Sequence, residues 1–456
     1  MIDEASITAL AATRDGFELI ACPPVALPGW RLQLRVELLA RRDISPLEAF
    51  VLRAAVDADS NLGMIQRLLG LDDHTFEDTV ASICGREWAR VTSAAALDLT
   101  ERGRNVRETG KRERSEDRPV WVDFDGLLRQ PIFLDAPLEP QQARDLGLLS
   151  IPAWPPGPPD VLELGRQARP LERLIRQAGD GRDQEIDLLA IKGVLRRERV
   201  YREALLCVFR SEHGDIQAVP VIDGQPSPGH ELALAEPQLR RILRIATELR
   251  RGRRYDQLLP PSTRELFNPD ADDRAATLRL QSRSPSLATE VNGTGTEELR
   301  QRAAEATRAL SVRRIGPQEN SRLLRIAVQT ARKRLLIAVP TLSPMSLDAD
   351  LLRELRRAMA RDVDLVIAHS TPADPPMPGF VRSLFDRDGA QEVEPREPVR
   401  VCTLVRDNTL AMCTLYPLLH DAGRERPLRD ERGWLVTDRD QVALIANEMI
   451  ARVLTN

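Results

Sequence analysis

Apolar and polar positions alternate at Leu32, Leu34, Val36 and Leu38, the period of a strand with one buried face. The run FELIAC before it is the expected partner strand, reached across the Pro-rich turn PPVALPG. This first unit spans residues 1–44. The period then becomes helical. Ser45 can cap a helix that starts at Pro46, with Glu48 at the third position. Leu47, Phe50, Val51 and Ala54 make its apolar stripe. A short helix over 62–69 stops at Gly70, and Asp72 or Asp73 caps a third that carries Phe76, Val80 and Ile83 on one face. Residues 90–100 pattern as a hairpin and 101–108 as a closing helix, which completes a unit at 45–112.

Residues 113–254 pattern as a β-rich domain ending in a basic helix. Val120, Val122 and Phe124 alternate up to Gly126, AWPPGPPD is a loop, and His213, Gly214 and Asp215 form a hairpin turn between later strands. Glu185, Asp187 and Asp223 lie on different segments with no His or Cys at metal spacing, so they read as surface or turn residues. Residues 237–254 predict one amphipathic helix with an apolar stripe of Leu239, Ile242, Leu243, Ala246 and Leu249. Opposite that stripe stand Arg240, Arg241, Arg244, Arg250, Arg251, Arg253 and Arg254. Residues 255–296, rich in Pro, Ser, Thr, Asp and Gly, are expected to be a linker. The remainder, 297–456, opens on a helix and then alternates helix, strand, helix, strand, which implies parallel pairing. Its last part, 399–437, carries two apolar runs around a turn at Asp407 and Asn408, then the charged cluster RDERG, then a third apolar run. The fold class expected is α/β plus α+β, in several domains.

Charge changes this picture little. The chain has 456 residues with 65 basic and 69 acidic side chains, so nothing drives the whole molecule onto nucleic acid or an anionic membrane. The arginines of 237–254 are the one strong basic patch and the best candidate for phosphate contact with double-stranded DNA; a solvated helix face explains them equally well. The scattered cysteines Cys22, Cys84, Cys207, Cys402 and Cys413, never at C-x-x-C spacing, suit a reducing compartment. With neither a signal-like start nor an apolar run of 18 residues, a cytoplasmic location and no membrane are expected. No metal or other cofactor is expected.

Two resemblances follow from these patterns. Three helices, a hairpin and a closing helix resemble the winged helix-turn-helix of bacterial regulators, whose third helix reads a DNA groove. Here Asp72, Asp73, Glu77 and Asp78 crowd that helix, and carboxylates repel phosphate, so a protein-binding or spacer module is the alternative. Basic residues Arg102, Arg104, Arg107, Lys111 and Arg112 follow it and can touch a backbone without reading bases.

The C-terminal third resembles the phospholipase D-like domain. It has the strand–helix–strand series LLIAVP to VDLVIAH, then LVRDNTLAMCT and LRDERGWLV where that family carries H-x-K, S-x-N and R-x-E-x-G. Counted back from Asp407, the histidine position is Arg400 and the lysine position Cys402, while the S-x-N positions are Leu415 and Pro417. The resemblance implies a nucleophilic histidine and a lysine that neutralises the phosphoryl oxygens. Arginine cannot serve as that nucleophile, and Cys cannot replace the ammonium. Asp407 and Glu431 remain as vestiges, with His369 and His420 as substitute candidates. The resemblance further implies a homodimer through this domain. The whole series of domains is similar to that of anti-phage defence components. The function expected is a non-catalytic scaffold or adaptor of a DNA-associated multi-protein assembly. A DNA-binding regulator and a phosphodiesterase with a rebuilt site are the alternatives.

Overall fold

The computed structural model describes residues 7, 10–11, 13–57, 61–178, 186–243, 257–283, 296–342, 347, 349–371, 379–386, 388–419, 428 and 430–453. Two sheets dominate it. The first is organised on two long strands, β2 (Pro24–Asp43) and β8 (Ile186–Ser211), with β1 (Phe17–Ala21) laid on β8. Between β2 and β5 (Lys111–Asp125) sits a separate helical unit. It comprises α1 (Pro46–Asp57), α2 (Leu62–Leu69), α3 (Asp73–Gly85), the hairpin β3 (Ala89–Val91) and β4 (Leu97–Leu99), and α4 (Glu101–Thr109). The Ile44 N–H donates to the Gly110 carbonyl at 3.1 Å, so this unit is an insertion at the tip of the β2–β5 ribbon.

Four sequence expectations change here. Residues 1–44 are not a unit of their own, because β2 is the inner strand of the same sheet as the middle domain. It pairs with β5 from Gly29↔Asp125 to Asp43↔Lys111 and with β8 from Pro24↔Leu205 to Ala40↔Ile186. FELIAC does not pair with the run after it. β1 pairs with β8 (Phe17↔Ser211), and PPVALPG, expected as a turn, is the extended start of β2, a conformation that proline's fixed φ tolerates. In α1 the buried face is Val51, Leu52, Ala54 and Ala55, whereas Leu47 and Phe50 point to solvent. Its start is as the sequence predicts. The Glu48 N–H donates to Ser45 Oγ and the Ser45 N–H to Glu48 Oε2, each at 3.1 Å, a capping box.

The sheet runs β10-β9-β8-β2-β5-β6, with β6 (Pro131–Ile132), β9 (Ile216–Ile222) and β10 (Gln225–Pro226), and β7 (Leu149–Ser150) beside β2. One face of the ribbon, with Leu32, Leu34, Val36, Leu38 and Phe124, packs under α5 (Val161–Arg166) and α6 (Ala168–Ala178). The other carries cross-strand ion pairs such as Arg31–Asp123 at 2.9 Å and Lys192–Asp117 at 2.6 Å. Two helices follow β10, α7 (Pro228–Leu234) and α8 (Pro237–Ile242).

The stretch expected as a linker contains α9 (Pro269–Arg283), which packs against α10 (Thr296–Arg308). Polar composition misled there, because α9 is held by ion pairs rather than an apolar stripe. Arg314 bonds Asp272 at 2.7 Å, and Arg279 bonds Glu319 at 3.1 Å.

The second sheet has seven strands in the order β11-β17-β16-β15-β12-β13-β14. They are β11 (Val312–Ile315), β12 (Arg334–Thr341), β13 (Asp364–Thr371), β14 (Gln391–Val393), β15 (Cys402–Arg406), β16 (Leu410–Thr414) and β17 (Gly433–Val436). β12, β13 and β14 are parallel, as the alternation of helix and strand predicts, and the rest are antiparallel. Strand period two divides the core. Leu335, Ile337 and Val339 face α11 (Asn320–Thr330) and α12 (Ala349–Met359), while Leu336 and Ala338 face α13 (Arg439–Val453). The molecule is thus mixed α/β. Among the described residues no helix is long and apolar enough to cross a membrane.

Candidate functional site

The residues singled out in 399–437 fall at two ends of the second sheet. Asp407 and Asn408 adopt left-handed φ values of 49° and 53° in the β15–β16 turn, closed by the Thr409 N–H donating to the Arg406 carbonyl at 2.9 Å. From there the Asp407 carboxylate accepts the backbone N–H groups of Arg332 (2.8 Å), Lys333 (2.7 Å) and Arg334 (2.9 Å). Burial pushes this carboxyl up, but those three N–H groups and Arg406 outweigh it and hold it below the ordinary carboxylate range. Asp407 therefore fastens the hairpin to the entry of β12.

Cys402 begins β15 at the other end, about 16 Å away for five residues of extended chain. The register Cys402↔Thr414 and Thr414↔Gly433 brings the histidine, lysine, S-x-N and R-x-E-x-G positions to this end. Their side chains do not converge. Cys402 is sealed in the apolar core, and Leu415 is half-buried, its N–H donating to the Arg432 carbonyl at 3.2 Å. Pro417 is likewise half-buried. Arg400 is exposed and lines a half-open cavity of about 410 Å³ with Val401, Thr403, Cys413, Glu448 and Arg452. Burial pushes the Cys413 thiol up to about 12, so it is no thiolate nucleophile.

Glu431 is turned away from that cavity altogether. Its N–H donates to the Ile20 carbonyl at 2.7 Å, and its Oε2 accepts the Cys22 N–H at 3.1 Å. Its own carbonyl accepts from Asn320 Nδ2 at 2.8 Å. On either side, Arg432 is paired with Asp430 at 2.5 Å and with Glu18 of β1, and Leu428 enters the apolar cluster of the first sheet. Asp430, Glu431 and Arg432 are all buried. The charged cluster thus joins the two sheets. Nothing local in the sequence signals this role, because the partners lie some four hundred positions away.

His369 lies within β13, two residues before its end and on the same sheet end, two strands from β15, and its Nε2 is bonded to Glu392 Oε1 at 2.8 Å. His420 lies outside the described residues. Of the arginine patch, Arg240 is half-buried and donates to the Ile216 carbonyl at 2.6 Å, and Arg241 is exposed. Arg244, Arg250, Arg251, Arg253 and Arg254 lie outside the described residues. Among the described residues no three His, Cys, Asp or Glu side chains group to hold a metal.

Sequence reasoning also missed a buried relay. Ser227 Oγ meets His230 Nδ1 at 2.8 Å, and His230 Nε2 meets Asp125 Oδ2 at 2.9 Å. Asp125 Oδ1 accepts the Leu127 and Leu128 N–H groups at 2.8 Å, so the relay pins the start of α7 to the β5–β6 turn.

No family model matches the chain. No curated protein matches it either. Solved structures overlap it in part. The phospholipase D family member Nuc from Salmonella typhimurium is 14% identical, covers 31% of this chain and 93% of its own, and has a TM-score of 0.26. NucT from Helicobacter pylori is 10% identical over 32% of this chain and 99% of its own, at 0.24. TrmBL2, an archaeal chromatin protein, is 16% identical over 34% of this chain and 57% of its own, at 0.23. Overlaps this partial fix neither a family nor an activity for the chain.

Chemically, the Arg400 end of the sheet can hold a small charged ligand between Arg400, Arg452 and Glu448. Among the described residues it offers neither a free imidazole nor an ammonium group for phosphoryl transfer.

Proposed function

We propose that the chain is a non-catalytic scaffold or adaptor of a DNA-associated multi-protein assembly. In this reading the seven-stranded domain is a phospholipase D-like unit that has lost its chemistry and serves for homodimerisation and binding. The observation that carries the reading is the placement of residues 430–432, buried between the two sheets with Glu431 spent on backbone N–H and carbonyl groups of 20–22. Glu431, a support residue in that resemblance, thus holds backbone groups of 20–22 and does not line the cavity beside Arg400. The replacement of the nucleophile and cation positions by Arg400 and Cys402 supports the same reading. A place among anti-phage defence components is part of the proposal and rests on the resemblance of the domain series. The test is hydrolysis of a chromogenic phosphodiester and of duplex and single-stranded DNA by the purified full chain, with and without divalent metal, alongside light scattering. Absence of turnover with a dimeric mass is expected. Turnover that His369→Ala or His420→Ala abolishes overturns the proposal.

A further inference from the structure

The winged-helix insertion exposes two apolar pairs that its own core does not need. That core is complete with Val51, Leu52, Ile65, Phe76, Ile83 and Leu97, all buried. Outside it, Leu47 and Phe50 lie one turn apart on α1, and Met64 and Leu68 one turn apart on α2. Phe50 is 53% exposed, Met64 52% and Leu68 65%. Single exposed leucines are ordinary, but two helix-spaced pairs on neighbouring helices are not.

The helix that follows is acidic on its solvent face. After Leu68 the chain turns at Gly70 (φ 63°) into α3, and Gln66 of α2 holds Asp73 of α3 at 2.6 Å. The solvent face of α3 then presents Asp73, Glu77 and Asp78, with His74 paired to Asp78 at 3.1 Å. Asp72 adds a fourth carboxylate, held below its ordinary range by the Thr75 N–H and hydroxyl. In a DNA-reading winged helix this surface faces the phosphates, and four carboxylates there oppose that contact.

We propose that the insertion is a docking site for a basic amphipathic helix of a partner protein, a specification that rests on the adaptor reading above. Leucine-type side chains at i, i+3 and i+4 fit against Met64 and Leu68, and flanking Lys or Arg side chains meet the acidic face of α3. Binding is then both apolar and salt-sensitive.

The probe is a fluorescent synthetic helix with leucines in that pattern and lysines elsewhere, titrated against the full-length protein. A scrambled peptide of the same composition and a duplex DNA serve as competitors. The variants are Met64→Ser with Leu68→Ser, and Glu77→Lys with Asp78→Lys. All four positions lie outside the unit's core, and circular dichroism verifies that each variant folds. The patterned helix is expected to bind at least about tenfold more tightly than the scrambled one, a difference of about 1.4 kcal/mol. Each variant should lose about that factor, added salt should weaken the complex, and duplex DNA should not compete. Equal binding of the scrambled peptide, or undiminished binding to both variants, overturns the proposal. So does competition by duplex DNA, or a change in the chain's own mass when Leu68 is replaced, which makes the face a self-interface. Phosphodiester turnover by the unaltered chain sinks the adaptor reading instead and leaves these titrations to be judged separately.

Discussion

Replacing Asp407 tests whether the most motif-like acid of the C-terminal domain is structural. Asp407→Ala removes acceptors from three backbone N–H groups at 2.7–2.9 Å. Hydrogen bonds to a charged group contribute about 1.5–3 kcal/mol each when buried. Arg332 and Lys333 are exposed, and water can take their N–H groups, so about 1 kcal/mol each is the fitting figure. Alanine also tolerates the left-handed φ of 49° less well than Asp, at about 1 kcal/mol more. The sum is about 4 kcal/mol, concentrated where β12 meets the β15–β16 turn. Asp407→Asn keeps one acceptor and the backbone preference, and should cost about half as much. Because the chain has more than one unit, the assay is hydrogen exchange of the full-length protein, read at residues 332–341 and 402–410. Protection there should fall by orders of magnitude in Asp407→Ala, while β2 and β8 stay protected. The folded pKa of Asp407 lies below its unfolded value, so its stabilisation is complete above the ordinary carboxylate range. It is lost as pH falls through the lowered value, and the gap between wild type and Asp407→Asn should close on acidification. A loss below about 0.5 kcal/mol at neutral pH, or a gap that widens in acid, would refute this account.

Arg432→Ala leaves Asp430 buried with Arg210, at 3.7 Å, as its remaining cationic partner among the described residues, and should weaken the joint between the sheets by about 3–5 kcal/mol, seen as faster limited proteolysis around residues 428–433. Unchanged cleavage contradicts the clamp. Gly103→Ala places a Cβ 1.8 Å from the Trp88 carbonyl oxygen and should destabilise the helical insertion by about 3 kcal/mol or more, with loss of exchange protection confined to residues 45–110. A neutral melting curve and unaltered exchange there argue against that packing. Cys413, with its thiol pushed up to about 12, should resist iodoacetamide at pH 8 in the native protein and react once unfolded in urea. Rapid native labelling refutes its burial.

Local order was legible in the sequence wherever one short stretch carries its own instruction. The Ser45–Glu48 capping box, the three helices with their hairpin, and strands β12, β13, β15 and β16 all follow from spacing, capping and turn chemistry within a few residues. The replaced positions Arg400, Cys402, Leu415 and Pro417 could likewise be read without any coordinates.

What only the tertiary structure decided involves partners far apart in the chain. β1 pairs with β8 rather than with β2, because an antiparallel edge some 190 residues away satisfies its backbone groups once Pro23 and Pro24 extend the chain. The insertion of residues 45–110 between β2 and β5 is invisible to periodicity, which cannot say whether two strands share a sheet. Leu47 and Phe50 continue a helical stripe in the sequence, yet the stripe is wider than the surface that α1 buries, so their side chains face solvent. The same limit applies to Asp407 and Glu431. As letters they belong to one motif, but the length of β15 separates them. One bonds the backbone that starts β12, and the other bonds a strand from the beginning of the chain. A carboxylate's role is set by which N–H groups surround it after folding, and those groups come from chain segments that no local pattern connects.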